Sequence, residues 1–284
     1  MVYLRKKTVK GVDYFYLVKS VWDKKRKTSR QMTLKYLGEA SNVILDDIPP
    51  EFRDDPKINS FLLHNTPKDR AERRKLVEQF QTKLFSSLSE GNLKDSISIY
   101  EAVVANSTIA QFYEQILNPI MEQVGSMWAE GRLSIATEHI ASNTAQSLIK
   151  IISENHKKTL LDKGKIIITT PVGEEHCLSC NMLESFLLSK GFTTFNLSPS
   201  TPGESLIEFI KTIHPSAVLV SITLDDNIKA GQRLIRKISN EYKRLPVYVG
   251  GQALVENKSK FDAIKIEPDL PLEKIPKMLV RKKK

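Results

Sequence analysis

The sequence predicts an α/β protein of several domains: a small antiparallel β module, a four-helix bundle, and a doubly wound, flavodoxin-like sheet of five parallel strands. Three observations carry this prediction. Apolar, β-rich runs recur at 166–170, 193–196, 217–221 and 247–249, with a weaker one at 263–266, and helical periods lie between them. Strands that alternate with helices build a parallel sheet with right-handed crossovers. Upstream, residues 68–158 hold four amphipathic periods joined by short breaks, the pattern of an antiparallel bundle.

Taken in order, residues 1–40 form the β module. Lys10-Gly11 marks a turn ahead of Tyr14-Phe15-Tyr16-Leu17-Val18. Val21-Trp22 leads into a charged hairpin tip, and Gln31 to Leu37 alternates polar and apolar side chains before Gly38. Together with Thr33-Leu34-Lys35-Tyr36-Leu37-Gly38, the first aromatic run resembles the β-rich segment that opens some prokaryotic transposases. Residues 41–67 are rich in Pro and Asp and read as a linker, with one short helical turn near Phe61-Leu62-Leu63.

Residues 68–160 are the bundle. Its first helix runs from about 68 to 88, with Leu76, Phe80, Leu84 and Leu88 at helical spacing. The second spans about 93–105. The third starts near the cap pair Ser107-Thr108 and runs past Pro119 to Trp128, where Gly131 ends it. Ser134 caps the fourth. Residues 164–284 are the sheet domain, with helices at 180–190, 203–213 and 229–242, a short one after Gly251, and a last one at 272–280.

The 284-residue chain is long enough for two or three domains. It has no apolar run of membrane-spanning length, and its start lacks the apolar core of a secretion signal, so a cytoplasmic protein with no membrane partner is expected. Its two cysteines, Cys177 and Cys180, exclude a disulfide framework. Residues 1–38 carry eleven Lys or Arg against Asp13 and Asp23, a net +9 in a chain whose total is +10. A compact basic module is the footprint of a nucleic-acid partner, though a solvated face that aids solubility gives the same count. The candidate contacts are Arg5, Lys6, Lys7, Lys24, Lys25, Arg26, Lys27 and Arg30, with DNA as the partner considered.

The chemistry gathers at the carboxyl ends of the strands, where open α/β sheets bind ligands. The first such loop holds Glu174-Glu175-His176-Cys177-Leu178-Ser179, the third Ser221-Ile222-Thr223-Leu224, and the fourth Gly250-Gly251. An imidazole there can give one nitrogen to a metal while an acidic neighbour holds the other. Two adjacent loop carboxylates diverge, which argues against paired-carboxylate catalysis by Glu174 and Glu175. Cys177-x-x-Cys180 at a helix start allows a redox pair, but no second such pair exists to complete a zinc site. No catalytic triad or phosphate loop is present, so an enzyme acting alone is not expected.

In their order and spacing these loops resemble the cobalamin-binding domain. The resemblance implies His176 as lower axial ligand of cobalt, Glu174 behind it, Ser221, Thr223 and Leu224 along a buried nucleotide tail, and Gly250-Gly251 where ring and backbone approach. In the bundle, Trp128, nine further residues and then Glu138-His139 resemble the helical cap of adenosylcobalamin-dependent light-sensing regulators. That likeness implies a cofactor held between bundle and sheet, with adenosylcobalamin favoured over methylcobalamin. The chain departs from the pattern at Ser179, where the family has Gly, and at Ala129, where the photoreceptors have His. The expected function is a cobalamin sensor controlling DNA binding, with response to light and homo-oligomer formation compatible with it. The alternatives are a corrinoid carrier for methyl transfer and a scaffold of this shape that no longer binds cofactor.

Overall fold

In the computed structural model, residues 2–23, 27–65, 70–105, 107–156, 163–254, 261, 263–265 and 270–280 are described. The chain divides into two compact units, Met1–Thr144 and Ala145–Lys284. Among the described residues no helix is long and apolar enough to cross a membrane.

The first unit opens with a meander of three antiparallel strands, β1 (Val2–Val9), β2 (Val12–Asp23) and β3 (Thr28–Glu39), in that order across the sheet. Lys10 and Gly11 both take positive φ, 51° and 80°, which is what a two-residue turn needs to match the twist of its strands. Along β2, Phe15 and Leu17 are fully buried while Tyr14 and Tyr16 stay half-buried on the other face. The Phe15 ring meets Phe61 edge-on at 5.0 Å.

The expected linker is packed instead. Helix α1 (Pro56–Asn65) is ten residues long, not a single turn, and short 3-10 turns at Leu45–Asp47 and Pro50–Phe52 precede it. Val43, Ile48, Ile58 and Leu62 are almost wholly buried. Arg53 fastens the segment by donating to the carbonyls of Ile48 and Asp46, each at 2.7 Å. Pro50 and Pro56 begin helical turns, where a missing N–H costs nothing. Widely spaced apolar residues among such breakers hide the burial from a composition count.

The four bundle helices follow as expected. Helices α2 (Arg70–Ser89) and α3 (Leu93–Val104) bury Leu76, Phe80, Leu84, Leu88, Ile99 and Val103. The third is one rod in three parts: α4 (Ile109–Phe112), a π-helical stretch Tyr113–Leu117, and α5 (Asn118–Ala129). Thr108 caps it reciprocally with Gln111. The π stretch sits where Pro119 has no N–H to give the Gln115 carbonyl. That carbonyl accepts instead from the Gln81 side chain on α2 at 2.8 Å. The fourth helix, α6 (Ile135–His156), begins in the first unit and continues into the second; Ser134 is its cap, with the Thr137 N–H donating to its hydroxyl at 3.1 Å.

In the second unit, β4 (Lys165–Thr169), β5 (Thr193–Asn196), β6 (Ala217–Ser221), β7 (Val247–Gly250) and β8 (Ile264–Lys265) form a parallel sheet. The strand order is β5-β4-β6-β7-β8, the flavodoxin-like arrangement. Helices α7 (Leu178–Ser189), α8 (Gly203–Ile213), α9 (Ile228–Glu241) and α10 (Ile275–Leu279) supply the layers. One core joins Ile167, Val218, Val220 and Val249 to Leu206, Ile210, Leu234, Ile235 and Ile238. The short helix expected after Gly251 lies largely outside the described residues, as does the basic 281–284 tail.

Candidate functional site

Strand order decides where the sheet can hold a ligand. The chain leaves β4 toward β5 on one side and returns to β6 on the other, so a crevice opens beyond the ends of β4 and β6. The loops after these two strands carry the predicted residues.

The loop after β4 is tied at several points. Gly173 turns the chain at φ +88°, and its N–H donates to Ser200 Oγ at 3.0 Å. Thr170 Oγ1 donates to the Glu174 carbonyl at 3.1 Å and accepts from the Ser200 N–H at 2.8 Å. This framework sends the Glu174 side chain inward, where it is fully buried, while Glu175 stays exposed. The two carboxylates diverge as expected.

A buried carboxylate needs partners, and Glu174 has five. Oε1 accepts from the His176 backbone N–H at 3.2 Å and faces His176 Nδ1 at 2.7 Å. Oε2 accepts from the N–H groups of Thr223 (2.8 Å) and Leu224 (3.0 Å) and from the Asn227 amide (3.0 Å). Burial pushes its pKa up. The bonds from Leu224, Asn227, Thr223 and His176 outweigh burial and hold it below the usual carboxylate range. With Nδ1 protonated toward an ionised Glu174, Nε2 carries the lone pair, and the imidazole side chain is 55% exposed.

A bare metal ion needs several protein ligands, and among the described residues no group of three His, Cys, Asp or Glu could supply them. A metal already ringed by a macrocycle needs one axial nitrogen, which is what this loop presents. The donor set therefore fits a corrin-borne cobalt.

The other predicted residues lie nearby. Ser179 Oγ and Ser221 Oγ stand 3.2 Å apart, so the side chain that replaces the family's Gly points at the end of β6. Thr223 and Leu224 contribute their backbone N–H groups to Glu174. Gly250 ends β7, paired across the sheet with Ser221. Gly251 has φ +108°, and a Cβ there would come within 2.2 Å of the Ile222 carbonyl oxygen. Its lack of a side chain is required by the protein's own backbone. Cys180 is buried, which pushes its thiol up to about 12 against the opposing hydrogen bonds of Ser198 and Ser221. Both cysteines are free thiols, Cys177 half-buried and Leu178 beside it likewise.

Asn227 carries no signal in the sequence. Its position ahead of α9 looks like an ordinary helix start, and nothing local names Glu174 as its partner.

In the first unit, Trp128 and Glu138-His139 are spaced by two caps. Helix α5 ends in a Schellman motif: the Arg132 N–H donates to the Met127 carbonyl at 2.8 Å and the Gly131 N–H to that of Trp128 at 2.9 Å. Ser134 then starts α6. Trp128 is 49% exposed, so it is not a core residue. Glu138 Oε2 faces His139 Nδ1 at 2.5 Å, and its Oε1 accepts from the Ser142 hydroxyl at 2.7 Å. Exposed Ile135 and Ile140 flank this pair along the helix.

Of the basic candidates, Lys24, Lys25 and Arg26 lie outside the described residues. Arg5 and Lys7 stand opposite Tyr16 and Tyr14 across β1 and β2 and so share their face. Lys6 alternates to the other face and pairs with Asp13 at 3.3 Å. Lys27 and Arg30 belong to the far end of the sheet, near the β2–β3 turn.

The chain thus carries an imidazole–carboxylate pair at the switch point of its parallel sheet and, in the other unit, a half-exposed Trp and a Glu-His pair on helices. Comparison with known proteins finds similarity to cobalamin-binding and corrinoid proteins. Residues 81–153 match the B12 binding domain family, and the match falls on the helices rather than the sheet. The trimethylamine corrinoid protein of Methanosarcina barkeri is 24% identical over 164 residues, which cover 55% of this chain and 75% of the relative. The HTH-type transcriptional repressor CarH of Myxococcus xanthus is 23% identical over 156 residues, 55% of this chain and about half, 52%, of the repressor. Among solved structures, the monomethylamine corrinoid protein of Methanosarcina barkeri aligns with a TM-score of 0.57 at 16% identity, over 72% of this chain and 98% of that one. At that identity the likeness speaks for the fold.

Proposed function

We propose that this chain binds a corrinoid with His176 as the lower axial ligand of cobalt and couples the state of that cofactor to nucleic-acid binding by its basic β module. The observation that carries the first part is the Glu174–His176 pair. The buried carboxylate sets the tautomer, holds the ring and leaves Nε2 for the metal. A bound corrinoid would supply a cobalt–carbon bond whose making or breaking is the signal. The residues of the chain hold the imidazole and keep Glu174 ionised, and Ser179 and Ser221 would line the place of a displaced nucleotide tail. Adenosylcobalamin is favoured by Trp128 and Glu138-His139, because a half-exposed Trp and an exposed His at that spacing suit contact with a ligand better than a core. The chain then acts as a binding protein rather than an enzyme, with its Lys- and Arg-rich first 38 residues as the output. Ala129 offers cobalt no second imidazole, so a response to light would end in a state other than a bis-histidine complex formed through that position.

A second reading is a corrinoid carrier that exchanges methyl groups with methyltransferases. It is favoured by the relatives named as corrinoid proteins, and it gives the basic module no task.

The test is an absorption spectrum of protein loaded with adenosylcobalamin or methylcobalamin, before and after green light, beside His176→Ala. Retention of the adenosyl form with an imidazole-ligated spectrum that His176→Ala loses is the expected result. Preferential retention of methylcobalamin turns the reading to the carrier. A wild-type spectrum with the nucleotide base still on cobalt overturns the assignment of His176.

A further inference from the structure

The outer face of the N-terminal sheet combines two features that charge alone does not. Its inner face is spent on the core through Leu4, Phe15 and Leu17. The outer face carries three tyrosines in one cluster: Tyr16 and Tyr36 lie 5.0 Å apart between ring centroids, and Tyr14 lies 6.3 Å from Tyr36. Tyr36 is 54% exposed, and from Thr28 through Tyr36 every residue of β3 is exposed. Arg5 and Lys7 stand beside these rings on β1, and Arg5 reaches Gln31 Oε1 of β3 at 2.5 Å. Trp22, further along β2, is 62% exposed.

We infer that this face binds single-stranded nucleic acid, with bases stacked on Tyr16, Tyr36 and Tyr14 and phosphates held by Arg5 and Lys7. Aromatic rings flanked by cations on an open sheet suit bases that are free to stack, whereas a duplex keeps its bases in its own stack. Charge complementarity names the occupant: a net +9 over residues 1–38 matches a polyanion and not an apolar protein surface. Lys6 and Lys35 take no part, since Lys6 pairs with Asp13 and Lys35 donates to the Asp47 carbonyl at 2.8 Å. The inference rests on the nucleic-acid half of the proposed function and is independent of cobalamin.

The test uses the full chain and fluorescence anisotropy, with fluorescein-labelled dT15, rU15 and the dT15·dA15 duplex as probes at several salt concentrations. Single strands are expected to bind at least about tenfold more tightly than the duplex. Tyr36→Ala and Tyr16→Ala should each weaken them by about five- to hundredfold, while Tyr36→Phe, which keeps the ring, retains most of the affinity. Replacing Arg5 or Lys7 by Gln lowers the slope of log affinity against log salt by about 0.7 for each phosphate no longer neutralised. Comparing dT15 with rU15 tells DNA from RNA. If the duplex binds as well as the single strands, or Tyr36→Ala stays within twofold of wild type, the stacking face is overturned while a basic duplex-binding module survives. If no probe binds, the nucleic-acid half of the proposed function falls with it, and cobalamin uptake on the same sample is judged separately by absorbance.

Discussion

Replacing Glu174 by Gln changes one oxygen to an amide and tests how the imidazole is held. Three donors converge on Oε2, from Thr223, Leu224 and Asn227, against the two of His176 on Oε1. The single oxygen of Gln must therefore serve the three, which turns its NH2 toward His176. The backbone N–H of His176 then loses its acceptor, and ring Nδ1 can only accept. The proton moves to Nε2, the nitrogen that the proposed ligation of cobalt requires. Loss of a metal ligand's orienting partner commonly costs 10- to 100-fold in affinity, about 1.4–2.8 kcal/mol. The exchange of charged for neutral bonds should also cost about 2–4 kcal/mol of folding stability, since bonds to charged groups are worth about 1.5–3 kcal/mol each. The assay is cobalamin titration by absorbance, with paramagnetic resonance of the reduced cobalt to detect an axial nitrogen, and urea unfolding alongside. Glu174→Gln binding with an axial imidazole within twofold of wild-type affinity would refute the reasoning.

Further outcomes follow from the same geometry. Glu174 has a lowered pKa, so its stabilising bonds are present above the ordinary carboxylate range near 4.3 and are lost as pH falls through the folded value. Cofactor-free wild type should thus lose stability in acid more steeply than Glu174→Gln, as followed by circular dichroism. Gly251→Ala should cost at least about 2–4 kcal/mol or prevent folding of the sheet unit, because its Cβ meets the Ile222 backbone at φ +108°; urea unfolding measures it. Iodoacetamide at pH 8 should label Cys177 and spare Cys180, whose thiol is pushed up to about 12 by burial; peptide mass spectrometry reads the pattern. Trp128→Ala should change stability by less than about 1 kcal/mol, because the ring is half exposed. It should nonetheless reduce the preference for adenosylcobalamin over methylcobalamin in competition binding.

Periodicity by itself located the bundle helices and the strands of the parallel sheet. The runs at 193–196 and 217–221 are strands at those bounds, and the Ser134 cap and the Gly131 break place Trp128 and Glu138 on their two helices. Burial imposes a period on the chain, and a period can be read without knowing what lies across from it. The stretch at 41–65 shows the limit, because its apolar residues are spaced by prolines and aspartates and no period survives.

Tertiary structure alone decided which polar groups meet. Glu174 is joined to Thr223, Leu224 and Asn227, some fifty residues on, because β4 and β6 are neighbours in the sheet while β5 lies on the other side. Ser179 meets Ser221 for the same reason, and Gly251 meets Ile222 because β6 and β7 are neighbours. Hydrogen bonds are short and directional, so their partners depend on strand order and loop path, and neither leaves a mark in the local sequence.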